Sequence, residues 1–305
     1  MALKVTVPEL RARKATTGRG ERLALVTAYD ATFARLFDQA GVDAILVGDS
    51  LGMVIQGGTS TLGVTVDEVC YHGRAVARGT QRAHLIGDMP FLSYHTGVDQ
   101  AVANAGRLLK EGGFESVKLE GGKEMADVVQ RMVRMGIPVV GHVGLMPQRV
   151  HAMGGFKVQG KDEDAAESIL EDAMAIAEAG AFMIVVEGVP APLAARITHA
   201  VDVPTVGIGA GLQCDGQILV GYDLLGLNDS LKPRFVKRYE AFFQRGVDAV
   251  RSYVGEVRDG AFPGPEHSFG LGPRAPEASP RTAEAALAHV HGADFDLAAA
   301  YGPTH

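Results

Sequence analysis

The chain has no tryptophan, and aromatic residues make up only 6% of it. Cysteine is scarce too: Cys70 and Cys214 stand far apart, without metal-ligand spacing. A disulfide framework is therefore not expected, and the pair reads as reduced thiols of a cytosolic protein. No apolar run approaches the roughly 18–20 residues that span a bilayer. The N-terminus lacks the apolar core and cleavage site of an export signal, so a cytoplasmic protein without membrane association is expected. Basic residues form no block, and the formal net charge is −7. That balance argues against nucleic acid as the main partner.

Glycine and short apolar runs are what the chain does have: 39 glycines and 47% hydrophobic residues in 305. That is enough for one large α/β domain or two small ones. The apolar runs end in a polar group, and a glycine turn follows. Ile45-Leu46-Val47-Gly48-Asp49-Ser50-Leu51-Gly52 sets the pattern. It returns in His84 to Pro90 around Asp88, in Ser116 to Gly122 around Lys118 and Glu120, in Pro138 to Gly144 around His142, and in Phe182 to Gly188 around Glu187. A helical pattern follows each run. Repeated strand–helix units imply parallel strands, and closing them gathers the polar ends on one rim. The expected fold is α/β, a (β/α)8 TIM barrel in a single domain over residues 1–269. An Ala/Pro/Gly-rich tail over 270–305 reads as poorly ordered, with a pattern that allows a helix from Thr282 to His291.

Helix boundaries are marked in several places. A short helix is expected near Pro8, where proline suits a first turn. Asp30 is placed to cap a helix over Ala31 to Ala40. Thr65 with Glu68 reads as a capping box for Val66 to Arg78. Further helices are expected over Val98 to Glu111, Lys123 to Met135, Asp162 to Ala179 and Pro233 to Val254, with an extended stretch over Phe262 to Phe269. The last two strands are expected at Pro204 to Gly211 and Gln217 to Val220. The segment Met146 to Gly160 is long, polar and glycine-rich at the catalytic end, the usual place for a lid or binding loop.

Alternation along strand four puts Lys118 and Glu120 on one face and Val117 and Leu119 on the other. Helices cover the outside of a barrel, so the charged pair should point inward. Asp49, Asp88 and Glu120 come from three successive strands. Hard oxygen ligands of that kind suit Mg²⁺, whereas zinc prefers His or Cys, and only His142 is on offer. Mg²⁺ held there can chelate a 2-oxo acid, polarise its carbonyl and stabilise an enolate. Lys118 is near enough in sequence to neutralise the substrate carboxylate. Glu187, further around the rim, is a candidate proton carrier. A lone His after an apolar run is as often a satisfied core group as a site residue, and His142 is open between the two.

The motifs VGDSLGMVIQG, GDMPF, VKLEGG, GHVGLMPQ, GGFKVQG, VEGVP, PTVGIGAG, CDGQILV and FPGPEHSF, in this order, closely resemble ketopantoate hydroxymethyltransferase (3-methyl-2-oxobutanoate hydroxymethyltransferase). The resemblance runs from Thr6 to Phe269. It implies a barrel enzyme that makes 2-dehydropantoate (ketopantoate) in pantothenate and coenzyme A biosynthesis. The cofactor would be Mg²⁺, one per subunit, with 5,10-methylenetetrahydrofolate as co-substrate. By the same resemblance Asp49, Asp88 and Glu120 would hold the metal, some through water. Asp49, Ser50, Asp88 and Lys118 would contact the oxo acid, His142 would line the site, and Glu187 would accept a proton. No residue is assigned to the folate. The partners implied are the 2-oxo acid and the folate, in a ring-based homo-oligomer such as a decamer. Met146 stands where the family loop usually has Thr, and Arg149 and His151 stand where Ser and Asn are common.

Two other readings compete. One is an Mg²⁺-dependent carbon–carbon lyase or mutase of the phosphoenolpyruvate mutase/isocitrate lyase type. It would call for a catalytic cysteine in a K-x-C-G-type loop, and neither Cys70 nor Cys214 sits in one. The other is a non-enzymatic binding barrel, which would leave Lys118 and Glu187 without a role beyond ion pairing.

Overall fold

A computed structural model describes residues 3–16, 22–229 and 233–269. Two compact units divide the chain, Met1–Gly246 and Val247–His305. In the first, eight parallel strands close into a barrel in sequence order. They are β1 (Leu23–Thr27), β2 (Ala44–Val47), β3 (His84–Asp88), β4 (Ser116–Glu120), β5 (Val139–Gly144), β6 (Met183–Glu187), β7 (Thr205–Ile208) and β8 (Gly216–Leu219). Helices α1 (Val7–Ala12), α2 (Ala31–Ala40), α3 (Leu51–Val54), α4 (Val66–Gly79), α5 (Val98–Arg107), α6 (Ala126–Arg134), α7 (Glu163–Glu178), α8 (Ala191–Ala200) and α9 (Gly221–Leu224) complete the barrel unit, and α10 (Phe242–Arg258) begins in it. Closure is made by β8 pairing with β1, with Leu25 opposite Ile218.

The strand period of two sorts the core into two clusters. One fills the barrel: Leu23, Leu25, Leu46, Ile86, Val140, Val185, Val206 and Ile218, with Leu10 of α1 among them. The other lies under the helices, with Val26, Ile45, Val47, Leu85, Val117, Leu119, Ile184 and Val186 packed on residues such as Phe37, Val69 and Ile176. The inward series of β3, β4, β5 and β6 therefore ends at Asp88, Glu120, His142 and Glu187. Close approach of helix to sheet depends on glycine in one place. A Cβ on Gly73 or Gly87 would stand 2.4 or 2.5 Å from the Phe114 ring, which fills the gap between α4 and β3.

At the N-terminal end of the strands, α1 and its flanks seal the barrel. Val5 donates its N–H to the Arg82 carbonyl, and Lys14 pairs with buried Asp215 at 3.1 Å. Local signals behave as the residue types dictate. Asp30 accepts from the Thr32 and Phe33 N–H groups at the start of α2, and Thr65 and Glu68 form a capping box on α4. Pro8 sits in the first turn of α1.

Several boundaries differ from expectation. The stretch predicted as one helix over Val98 to Glu111 is α-helical only to Arg107 and ends in a π turn, Leu108–Gly112. A 3₁₀ turn, Lys123–Met125, precedes α6. The helix expected from Pro233 begins only at Phe242. In the intervening segment Tyr239 donates to the Leu224 carbonyl, and at the start of α10 Phe242 and Phe243 donate to those of Leu225 and Gly226. These bonds tie the segment and the first turn of α10 to the end of α9. In the second unit, Pro265–His267 forms a 3₁₀ turn inside the stretch expected to be extended. Tyr253 meets Phe262 edge to face there, with ring centroids 5.6 Å apart. The predicted tail and its helix over Thr282 to His291 lie outside the described residues. No helix among the described residues is long and apolar enough to cross a membrane.

His84 opens β3 and is buried. Its Nε2 lies 2.9 Å from the Ser116 hydroxyl and its Nδ1 3.3 Å from the Val5 carbonyl. Burial holds the imidazole below its ordinary value despite the nearby Glu115 carboxylate. The unfolded chain binds this proton near pH ~6.5 and the folded chain only at lower pH, so acid favours unfolding in between. His84→Gln is expected to flatten the rise of melting temperature with pH below about 6.5 relative to wild type. An unchanged slope would contradict a buried neutral ring.

Candidate active site

At the C-terminal ends of the strands a cavity of about 1360 Å³ opens. Asp49, Ser50, Asp88, Lys118, Glu120, His142 and Glu187 all line it. The residues singled out in the sequence therefore share one site. Asp49 lies two residues beyond β2, because Gly48 occupies the next inward slot. A Cβ at Gly48 would stand 2.8 Å from Ser50 Oγ, so glycine keeps that floor open. Ser50 Oγ is 2.8 Å from the Tyr29 hydroxyl, and Thr27 donates to Tyr29 from below.

The acids and the lysine are almost fully desolvated. Lys118 Nζ pairs with Asp88 Oδ1 at 2.9 Å and stands 3.9 Å from Glu120 Oε1. Burial pulls the ammonium downward, but the charges of Asp88, Glu120 and Asp49 outweigh it and hold Lys118 above its usual value. Burial, then the charge of Asp88, pushes Asp49 up to about 7. Burial likewise lifts Glu120 well above the carboxylate range, with Lys118 as the main opposing influence. One ammonium faces three acids at this end of the barrel.

His142 joins this group to Glu187. Lys118 Nζ lies 3.2 Å from its Nδ1. An ammonium only donates, so Nδ1 accepts and the ring proton sits on Nε2. That nitrogen faces Glu187 Oε2 at 3.2 Å. Burial, reinforced by the Lys118 charge, holds His142 below its ordinary value, so the ring is neutral at pH 7. Glu187 is the more accessible acid: its side chain is 17% exposed, against 2% for Asp88 and Glu120. A carboxylate open to the cavity and oriented by a neutral imidazole is equipped to take a proton from a bound molecule.

Two residues that the sequence did not disclose complete the floor. Gln148 reaches back from the loop after β5 and donates from Nε2 to Asp49 Oδ2 at 2.9 Å. Tyr94, fully buried, donates to Gln148 Oε1 at 2.7 Å and accepts from the Glu120 N–H at 3.1 Å. Periodicity carries no sign of either, since both sit on irregular segments. The only hint is a Pro-Gln step directly after the His142 strand.

Glu120 Oε1 is buried with no hydrogen-bond partner, which is costly unless something else meets it, and Asp88 Oδ1 has the Lys118 ammonium 2.9 Å away. Among the described residues, however, no three His, Cys, Asp or Glu side chains gather into a direct ligand cage. Mg²⁺ fits such a site, because it usually takes one or two carboxylates and keeps waters. Zinc, which favours four protein nitrogens or sulfurs in a closed site, does not. Neither thiol takes part: Cys70 faces the Arg107 carbonyl from α4, and Cys214 precedes β8 at the opposite end of the strands.

A closed (β/α)8 barrel with acids, a lysine and a histidine at the strand ends is the arrangement of a rim-site barrel enzyme. The family profile for ketopantoate hydroxymethyltransferase matches residues 4–265. A 3-methyl-2-oxobutanoate hydroxymethyltransferase from Syntrophotalea carbinolica is 54% identical over 269 residues, 88% of this chain and 100% of its own. One from Anaeromyxobacter sp. strain K is 56% identical, covering 87% of each chain. Among solved structures, phosphoenolpyruvate phosphomutase from Streptomyces platensis subsp. rosaceus superposes with a TM-score of 0.57 at 14% identity, over 84% of this chain and 88% of that one. At that identity the likeness is one of fold. The chain belongs to the ketopantoate hydroxymethyltransferase family.

A cation that relieves the crowded acids binds the folded state alone and so stabilises it. Mg²⁺ at about a hundred times its dissociation constant should add ~2.7 kcal/mol and raise the melting temperature. Asp88→Ala should lose that increment. A melting temperature indifferent to Mg²⁺ in the wild type would contradict the cation reading.

Proposed function

We propose that this chain transfers a hydroxymethyl group to C3 of 3-methyl-2-oxobutanoate and releases 2-dehydropantoate. The observation that carries the reading is the division of labour at the rim. A desolvated group of Asp49, Asp88, Glu120 and Lys118 stands on one side. On the other, His142 holds the accessible Glu187 carboxylate. Family membership and the named relatives support the same reaction.

In this reading the Lys118 ammonium receives the carboxylate of the oxo acid, and Ser50 Oγ, held by Tyr29, donates to it. Asp49, Asp88 and Glu120 would hold Mg²⁺, one per subunit and partly through water. When bound, that ion would draw electrons from the keto oxygen and make the adjacent C3–H more acidic. Glu187 takes the C3 proton, and the neutral His142 ring, its Nε2 3.2 Å from Glu187 Oε2, stands beside the carboxylate that does so. C3 then forms the new bond to the one-carbon unit of 5,10-methylenetetrahydrofolate. With one water consumed, the products are 2-dehydropantoate and tetrahydrofolate. Residues 1–246 supply every group named here. The product is a precursor of pantothenate and coenzyme A. Assembly as a ring-based homo-oligomer and residence in the cytoplasm belong to the same proposal.

The test is formation of 2-dehydropantoate from the two substrates, with and without Mg²⁺. Loss of a positioned general base typically costs about 10²–10⁴-fold, and Glu187→Gln should fall by that much in kcat. Lys118→Met should act mainly on KM, through lost anchoring of the carboxylate. Absence of product from folded wild type with Mg²⁺, or release of glyoxylate or pyruvate from a lyase substrate, would overturn the assignment.

A further inference from the structure

Gln148 is 3% exposed and sits between two acids that belong to different strands. Its Nε2 donates to Asp49 Oδ2 and to the Met89 carbonyl, both at 2.9 Å. Each of those partners only accepts, so the amide cannot be turned the other way round. Tyr94 fixes its far end by donating to Oε1. The backbone N–H of the same residue donates to Glu120 Oε2 at 3.1 Å. The third acid is held similarly, with Asp88 Oδ2 accepting from the Asp49 N–H at 3.1 Å. Each acid thus has an oxygen engaged by a protein amide, Gln148 supplying two of those three contacts, and Asp88 has its other oxygen on the Lys118 ammonium.

We propose that Gln148 is a positioning residue that limits Asp49 and Glu120 to one oxygen each toward a bound cation, and so selects a small ion such as Mg²⁺ over Ca²⁺. The proposal rests on the reading that a divalent cation sits among them. Ca²⁺ takes six to eight oxygens and readily binds carboxylates through both oxygens, whereas Mg²⁺ keeps near-octahedral geometry with few carboxylates and several waters. A Ca²⁺ ion taking both Asp49 oxygens would compete with the buried amide for Oδ2 and weaken or unpair that donor. Mg²⁺ asks for no such change. The same contact makes the loop after β5 part of the cation site, although the loop itself contributes no acid.

The experiment measures Mn²⁺ binding to the full chain by electron paramagnetic resonance, with Mg²⁺ and Ca²⁺ as competitors. It compares wild type, Gln148→Leu and Tyr94→Phe. Gln148→Leu keeps the backbone N–H on Glu120 but removes the amide from Asp49. Its preference for Mg²⁺ over Ca²⁺ should fall about tenfold, the order expected for one hydrogen bond to a charged group. Tyr94→Phe leaves the glutamine but frees its far end, and should move the ratio the same way by less. A purely structural role would weaken both ions alike and leave the ratio where it was, and that result overturns the proposal. If circular dichroism finds Gln148→Leu unfolded, an unchanged ratio in folded Tyr94→Phe overturns it equally. Wild type that binds no Mn²⁺ removes the cation reading and this proposal together. Wild type that binds Mn²⁺, with folded variants that keep its Mg²⁺/Ca²⁺ ratio, removes this proposal alone.

Discussion

Three buried acids share one ammonium at the mouth of the barrel, and the rest of the site answers to that imbalance. Charge in a dry setting is costly unless it is paired. Lys118 pairs with Asp88 and stays protonated, while burial and mutual repulsion drive Asp49 and Glu120 upward. Protons can relieve the excess, and so can a divalent cation. Only the cation leaves the acids as oxygen donors at neutral pH. The buried Glu120 oxygen that lacks a hydrogen bond marks where relief is needed.

The barrel makes this crowding sustainable. Strand alternation sends Leu46, Ile86, Val140 and Val185 into a packed interior one step below the polar ends, and α1 seals the far end with Leu10. The acids therefore rest on a solid floor that water does not reach from beneath. Backbone amides and a few neutral side chains then fix one oxygen of each acid. Glu187 escapes the crowding. It sits two strands further round than Glu120, joined to the charged group through the His142 ring. In the proposed reading, metal-side and proton-side chemistry are separated by an imidazole that is neutral because it is buried beside Lys118.

Much of this was legible in the sequence because it depends on period and position. Apolar runs ending in Asp49, Asp88, Glu120, His142 and Glu187 prescribed both the barrel and its rim, and alternation alone turned Lys118 and Glu120 inward. Asp30, Thr65 and Glu68 announced their caps through side chains that bond locally. Gln148 and Tyr94 stayed hidden because their partners lie 99 and 26 residues away along the chain, in loops with no period. The segment before Phe242 misled for a related reason. Its composition suits a helix, but its Tyr239 amide bonds to the end of α9, a tertiary choice that local preference does not report. His142, open between core and site on sequence grounds, lines the cavity with Lys118 at one ring nitrogen and Glu187 3.2 Å from the other.

The central claim is that this rim, loaded with a divalent cation, makes C3 of a 2-oxo acid acidic and gives its proton to a nearby base. The most direct measurement is loss of the C3 proton signal of 3-methyl-2-oxobutanoate in D₂O, followed by NMR with Mg²⁺ present and folate absent. Exchange well above the buffer rate, abolished by chelation and restored by Mg²⁺, is the expected result. Exchange no faster than in buffer, from folded protein supplied with Mg²⁺, would contradict it.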